Sequence, residues 1–268
     1  MNNNAIGVFD SGIGGLTAVR ELNRLLPHED IIYFGDTARI PYGTRSRETI
    51  LEYARQDIEF IRTHPVKLII AACGTISSVM GSGTELCSDL PFIGVLKPAV
   101  QAACGATRIG KIGVIGTPAT IRSGSYGKAI RAIRPDLAVV GNACPLFVPL
   151  VENGYTGRDN KITRLAAEEY LAPIIRENVD TLIMGCTHYP VLRDIIADVM
   201  GSGVTLISPG EEAAKIASSI LTAQEMLTEN EGMGTNTFYA SDSVELFKEN
   251  ATAFLGRQID GEIHKISL

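Results

Sequence analysis

Short apolar runs alternate with amphipathic stretches along most of the chain. The runs at 6–9, 31–34, 67–72, 92–95, 111–115, 137–141, 181–184 and 204–207 read as strands buried on both faces. Between them, 16–26, 47–62, 161–177 and 191–200 carry helical spacing. In the first of these, Leu16, Val19, Leu22 and Leu26 fall on one side. Strands alternating with helices predict an α/β fold, with mainly parallel sheets covered by helices. The polar stretch 228–235 reads as an exposed loop.

The pattern repeats. Ile6-Gly7-Val8-Phe9-Asp10-Ser11 is matched by Ile112-Gly113-Val114-Ile115-Gly116-Thr117, each an apolar run ending in a turn with a hydroxyl. Farther on, Leu68-Ile69-Ile70-Ala71-Ala72-Cys73-Gly74-Thr75 is matched by Leu182-Ile183-Met184-Gly185-Cys186-Thr187. The offsets are close, 106 (112 − 6) and 113 (186 − 73), which predicts two similar α/β halves. Breaker-rich Lys97-Pro98 and Ser208-Pro209-Gly210 divide the chain into residues 98–209 and a second unit of 1–97 plus 210–268.

Composition supports this and narrows the function. A chain of 268 residues with 45% hydrophobic content can bury cores for two such domains, and 20% charged residues argue against disorder. The net charge of −6 and the lack of a Lys/Arg-rich run disfavour nucleic acid as a partner. A small anionic ligand stays compatible, because backbone amides can bind one on an acidic protein. No apolar run approaches the ~20 residues of a membrane span, and Met1-Asn2-Asn3-Asn4 lacks the features of a signal peptide. A soluble, cytoplasmic protein is expected. Five cysteines, an odd number without a CxxC pair, should then be reduced thiols, and four scattered histidines give no zinc spacing.

In an open α/β sheet, ligands sit beyond the carboxyl ends of the strands. Cys73 and Cys186 both occupy that position, beside Thr75 and Thr187. Each precedes a segment able to open a helix, whose dipole is expected to lower the thiol pKa. If the halves face each other, the two sulfurs approach one cleft from opposite sides. Inverting a Cα centre needs a base on one face and an acid on the other, and two thiols can exchange those roles without a metal or cofactor. Cys87, Cys104 and Cys144 read as small buried apolar residues. Asp10-Ser11-Gly12-Ile13-Gly14-Gly15 lacks the lysine of a phosphate loop, and Asp10 would repel phosphate. Its carboxylate suits orienting a proton donor, pairing with an ammonium group, or capping a helix. Pro41-Tyr42-Gly43 offers a phenol and backbone amides, or is an ordinary turn. Glu152 follows an apolar, Pro-containing stretch and is either a solvated loop residue or a supporting acid. His188 could position a substrate group or cap a helix.

On these residues the chain resembles the aspartate/glutamate racemase superfamily, and within it the bacterial glutamate racemases. The resemblance rests on Asp10-Ser11-Gly12-x-Gly14-Gly15, Pro41-Tyr42-Gly43, Ala72-Cys73-x-Thr75, Gly116-Thr117-x-Ala119-Thr120, the run from Cys144 to Glu152, Gly185-Cys186-Thr187-His188, Phe238-Tyr239-Ala240-Ser241 and Phe254-Leu255-Gly256. It covers nearly the whole length. It implies two flavodoxin-like domains with the site between them, and Cys73 and Cys186 as the acid/base pair. Asp10 would assist Cys73, and Glu152 and His188 would assist Cys186. Asp10, Ser11, Pro41, Tyr42, Gly43, Gly74, Thr75, Thr117, Thr120, Thr187 and His188 would line the glutamate site. No cofactor or metal is implied; a homodimer is, with D-glutamate feeding peptidoglycan synthesis.

Family members usually carry Asn after the first catalytic cysteine, where this chain has Gly74. That removes an amide donor from the substrate and bears on the choice of amino acid. Aspartate racemase is the nearest rival. A decarboxylase of the superfamily would lack one thiol, and hydantoin racemase fits Pro41-Tyr42-Gly43 poorly. A binding protein on this scaffold would have no need of two thiols.

Overall fold

The computed structural model describes residues 1–80, 87–259 and 261–268. In chain order it contains β1 (Ala5–Asp10), α1 (Leu16–Leu25), β2 (Ile31–Gly35), α2 (Arg47–Ile61), β3 (Val66–Ala71), α3 (Gly74–Met80), β4 (Phe92–Gly94) and α4 (Leu96–Ala106). There follow β5 (Lys111–Gly116), α5 (Pro118–Ser123), α6 (Ser125–Ile133), β6 (Ala138–Ala143), α7 (Phe147–Glu152), α8 (Lys161–Arg176), β7 (Thr181–Met184), α9 (Arg193–Met200) and β8 (Thr205–Ile207). The chain closes with α10 (Pro209–Ala223), β9 (Asn236–Ala240), α11 (Val244–Leu255) and β10 (Ile263–Lys265).

Among the described residues all strand pairs are parallel, in two sheets. One has the order β10-β9-β2-β1-β3-β4 and the other β6-β5-β7-β8. Both contain the same 2-1-3-4 arrangement, so β1 corresponds to β5 and β3 to β7. This is the topology that the internal repeat anticipates, and it is flavodoxin-like. Strands β1, β3 and β7 are buried along their whole length because helices cover both faces, which is why their sequences run apolar without alternation.

Polar residues before the helices set where several begin. Ser46, Thr117, Asn160 and Ser243 each accept a backbone N–H three residues on. One continuous core runs from Ile6 and Val8 of β1 to Ile115, Leu182 and Met184 of the second sheet, through Ala213, Ala217 and Leu221 of α10. Gly210 makes that docking close, since a Cβ there would lie 3.1 Å from Ala18 Cα. At the opposite end of the first sheet from the thiols, Lys67 is fully buried, with Nζ 2.5 Å from Glu29 Oε2 and donating to Asn2 O at 2.6 Å.

All eight expected strands form, with ends shifted by a residue or two. Strands β9 and β10, absent from the sequence reading, extend the first sheet beyond β2. The stretch 228–235 has no helix or strand, as expected, and is tied down by Thr235 N donating to Asp30 at 2.7 Å. Among the described residues, no helix is long and apolar enough to cross a membrane.

Candidate active site

The carboxyl ends of β1 and β3 face those of β5 and β7 across a cavity of about 780 Å³. The β1/β3 pair is the switch point where the strand order reverses, and β5/β7 is its counterpart. Asp10, Ser11, Cys73, Gly74 and Thr75 line one side of the cavity; Thr117, Thr120, Cys186, Thr187 and His188 line the other. Pro41, Tyr42, Gly43 and Glu152 complete the set nominated from sequence.

Glycines let the halves meet. A Cβ on Gly14 would sit 2.2 Å from Thr187 Oγ1, and one on Gly74 would sit 2.8 Å from Gly185 O. A Cβ on Gly43 would touch Ala119 Cβ at 3.3 Å. Thr17 Oγ1 adds a bridge, donating to Thr187 O at 3.0 Å. The contact between the two thiol-bearing turns, Gly74 against Gly185, is therefore backbone against backbone.

Around Cys73, Asp10 ends β1 and receives the N–H groups of Gly12 (3.2 Å) and Gly15 (3.0 Å) on Oδ2. It stabilises the turn before α1 without being the helix cap, since Gly15 occupies that position. Its Oδ1 is buried without a hydrogen-bond partner. Ser11 Oγ lies 3.3 Å from Cys73 Sγ. Burial pushes the Asp10 carboxyl above the usual carboxylate range, against the pull of His188.

Around Cys186, Sγ lies 4.0 Å from His188 Nδ1, and His188 Nε2 lies 3.0 Å from Glu152 Oε1. Glu152, the last residue of α7, is thus tied to the site and is not merely a loop residue. Burial opposes the imidazolium, but contact with Cys186 and Glu152 outweighs it and carries His188 up to about 10. At neutral pH this ring offers a positive charge close to the sulfur.

Residues 6–217 match the family model of Asp/Glu/Hydantoin racemases. The chain belongs to this family. A glutamate racemase of Geobacter metallireducens is 43% identical, over 98% of this chain and 97% of its own length. The crystal structure of a glutamate racemase isoform of Bacillus anthracis superposes with a TM-score of 0.93 at 38% identity, over 100% of this chain and 99% of that one. A glutamate racemase of Francisella tularensis, solved in complex with D-glutamate, gives 0.90 at 40% identity, covering 100% and 98%.

Three sequence expectations change in the racemase fold. The first turn of α3 favours the Cys73 thiolate through the Ile76 N–H, but burial, with Asp10 adding to it, outweighs this and pushes the thiol up to about 12. Cys73 is followed directly by α3, as expected, whereas Cys186 is not followed directly by an α-helix. It precedes a 3-10 turn at Tyr189–Leu192, and α9 starts only at Arg193. The Tyr42 hydroxyl is buried against Asp36 and Asp57, so the phenol is committed to these carboxyl groups although the residue lines the cavity. All five cysteines are free thiols, and Cys87, Cys104 and Cys144 are buried away from the cavity lining.

The sequence reading missed the cavity wall supplied by α11 and the turn before it, including Asp242, Ser243 and Asn250, and missed Arg122 at the rim. Nothing in the local sequence marks these residues. Asp242, Ser243 and Asn250 reach the site because β9 pairs with β2 and delivers α11 there, and Arg122 arrives on α5.

Proposed function

We propose that the protein is a cofactor-independent glutamate racemase in which Cys73 and Cys186 exchange the roles of base and acid. The observation that carries this reading is the placement of two thiols beyond equivalent strands, β3 and β7, on one cavity, with the backbones of Gly74 and Gly185 in contact between them. The full-length glutamate racemase relatives support the substrate.

In this mechanism a thiolate removes the α-proton from one face and the opposite thiol delivers a proton to the other. Cys73 serves D-glutamate and Cys186 serves L-glutamate. Ser11 assists Cys73 directly, and the unpartnered Oδ1 of Asp10 receives the substrate ammonium group. The Glu152–His188 pair stabilises charge on Cys186. Both carboxylates of the substrate need donors, because the carbanion-like transition state spreads its charge onto the α-carboxylate. Thr75, Thr117, Thr120 and Thr187, with backbone amides at Ser11, Gly43 and Gly74, supply them. A bound ammonium group moves positive charge towards the Cys73 sulfur and favours its ionisation, against the burial that raises it.

The two functional units are residues 1–97 plus 210–268, and 98–209, supported by the sharing of strands between the sheets. A homodimeric cytoplasmic enzyme supplying D-glutamate for peptidoglycan completes the reading. The test is incubation of purified protein with L-glutamate, and separately L-aspartate, without added cofactor, followed by circular dichroism. Decay of the glutamate signal, lost in Cys73→Ser and Cys186→Ser, is expected. Decay with aspartate alone overturns the substrate, and decay with neither overturns the reading.

A further inference from the structure

A buried cluster behind the Pro41–Gly43 wall holds two carboxylates and one guanidinium. Asp36, just after β2, and Asp57, on α2, are both fully buried. Arg39 joins them: Nε donates to Asp36, Nη2 donates to Asp57 Oδ1 at 3.0 Å, and Nη1 donates to Gln56. Its guanidinium lies over the Tyr53 ring, 4.2 Å from the centroid. The buried Tyr42 hydroxyl bonds to Asp36 Oδ2 and lies 3.3 Å from Asp57 Oδ2. Ser241 Oγ donates to Asp36 Oδ1 at 2.8 Å and accepts from Ala38 N at 2.9 Å.

The hydroxyl has one proton to give and faces two carboxyl oxygens. Asp36 already collects donors from Arg39, Ser241 and Tyr42, the pattern of an ionised group. Asp57 receives Arg39 on Oδ1, and its Oδ2 faces a phenol oxygen whose proton is already committed. Two bare carboxylates there would repel across the phenol, so the contact is attractive only if Asp57 carries its own proton. Burial, with Asp36 adding to it, pushes the Asp57 carboxyl well above the usual range, in line with this count.

We propose that Asp57 is a neutral carboxylic acid that donates to Tyr42, which donates to an ionised Asp36, and that this relay positions two walls of the substrate cavity. One wall is the Thr37–Gly43 segment, which carries Arg39 and Tyr42. The other is Asp242-Ser243, reached through Ser241 and through Asp242 N donating to Thr37 Oγ1 at 3.0 Å. Asp36, Arg39 and Asp57 are positioning residues and do not line the cavity. The kinetic half of the proposal rests on the racemase reading; the protonation half does not.

The test compares Asp57→Asn, Asp57→Ala, Asp36→Asn and Tyr42→Phe in the full chain, with thermal unfolding to verify folding. An asparagine at 57 keeps a donor towards Tyr42 and an acceptor for Arg39. An asparagine at 36 puts an amide where only an acceptor fits. Asp57→Asn should therefore stay within about threefold of wild type in kcat/KM for glutamate. Asp57→Ala, Asp36→Asn and Tyr42→Phe should raise KM about tenfold or more, with kcat changed less. Infrared difference spectra of protein with 13C-labelled aspartate should show a protonated carboxylic acid band that Asp57→Asn removes. Equal damage from Asp57→Asn and Asp36→Asn, no carboxylic acid band assignable to Asp57, or an unchanged KM in folded Asp36→Asn would each overturn the proposal. If wild type fails to racemise glutamate, the infrared result still decides the protonation state.

Discussion

Replacing Gly74 by alanine places a carbon 2.8 Å from the carbonyl oxygen of Gly185. That oxygen is backbone and belongs to the residue before Cys186, so no side chain can rotate away. Ordinary contact begins at 3.4 Å, so the turns carrying Cys73 and Cys186 must part by about 0.6 Å. Displacing reacting groups by 1 Å can lower a rate by about 100-fold. A shift of about 0.6 Å should then lower kcat by about tenfold, about 1.4 kcal/mol of barrier. The loss should be similar from L to D and from D to L, because the separation of the thiols affects both directions. KM should move less, since each donor shifts with its own turn and a hydrogen bond tolerates a few tenths of an ångström better than proton transfer does. Polarimetric assay of both directions measures this, with Gly105→Ala as control, because a Cβ there meets nothing within 4 Å. Asparagine at 74 adds the same Cβ but also an amide, so Gly74→Asn should show a lower KM than Gly74→Ala. A Gly74→Ala enzyme within twofold of wild-type kcat in both directions would refute the idea that this contact sets the thiol geometry.

Further outcomes follow from the same geometry. With His188 raised from 6.5 to about 10, its bonds to Glu152 and Cys186 contribute fully below pH 6.5 and are lost as pH rises through about 10. Glu152→Gln removes one raising partner, so the alkaline loss of thermal stability and of activity should begin at lower pH, as pH-resolved melting and rate profiles will show. Ser11→Ala removes the hydroxyl that favours the Cys73 thiolate. It should slow turnover from D-glutamate about fivefold and from L-glutamate less, read from the two initial rates. Lys67→Ala leaves Glu29 buried without its cation. It should destabilise the fold by about 3–5 kcal/mol and lower the melting temperature by about 6–20 °C, while kcat per folded molecule holds.

Strands buried on both faces were legible because their apolar runs lie between helical segments, and the two thiols were legible because the repeat set them at equivalent strand ends. Strand β9 was not: Asn236–Ala240 is short and half polar, and it becomes a strand by pairing with β2 and β10. The α11 wall was invisible for the same reason, since a contact made through sheet order leaves no local spacing. Helix α3 was legible only as a segment able to open a helix after Cys73, because its small residues carry no amphipathic period that would give its extent. The rise in the Cys73 pKa was also not readable. A sequence shows that a helix follows a thiol, but whether burial outweighs the helix dipole depends on what covers the sulfur.

The central claim is that two thiols act on opposite faces of one Cα. Its most direct test is brief turnover in deuterium oxide, starting separately from each enantiomer, with the isotope located by NMR. The account predicts deuterium at Cα of the product and protium in recovered substrate, with product formation abolished in both Cys73→Ser and Cys186→Ser. Deuterium appearing equally in product and recovered substrate from the first turnovers, or product still forming after loss of either thiol, would contradict it.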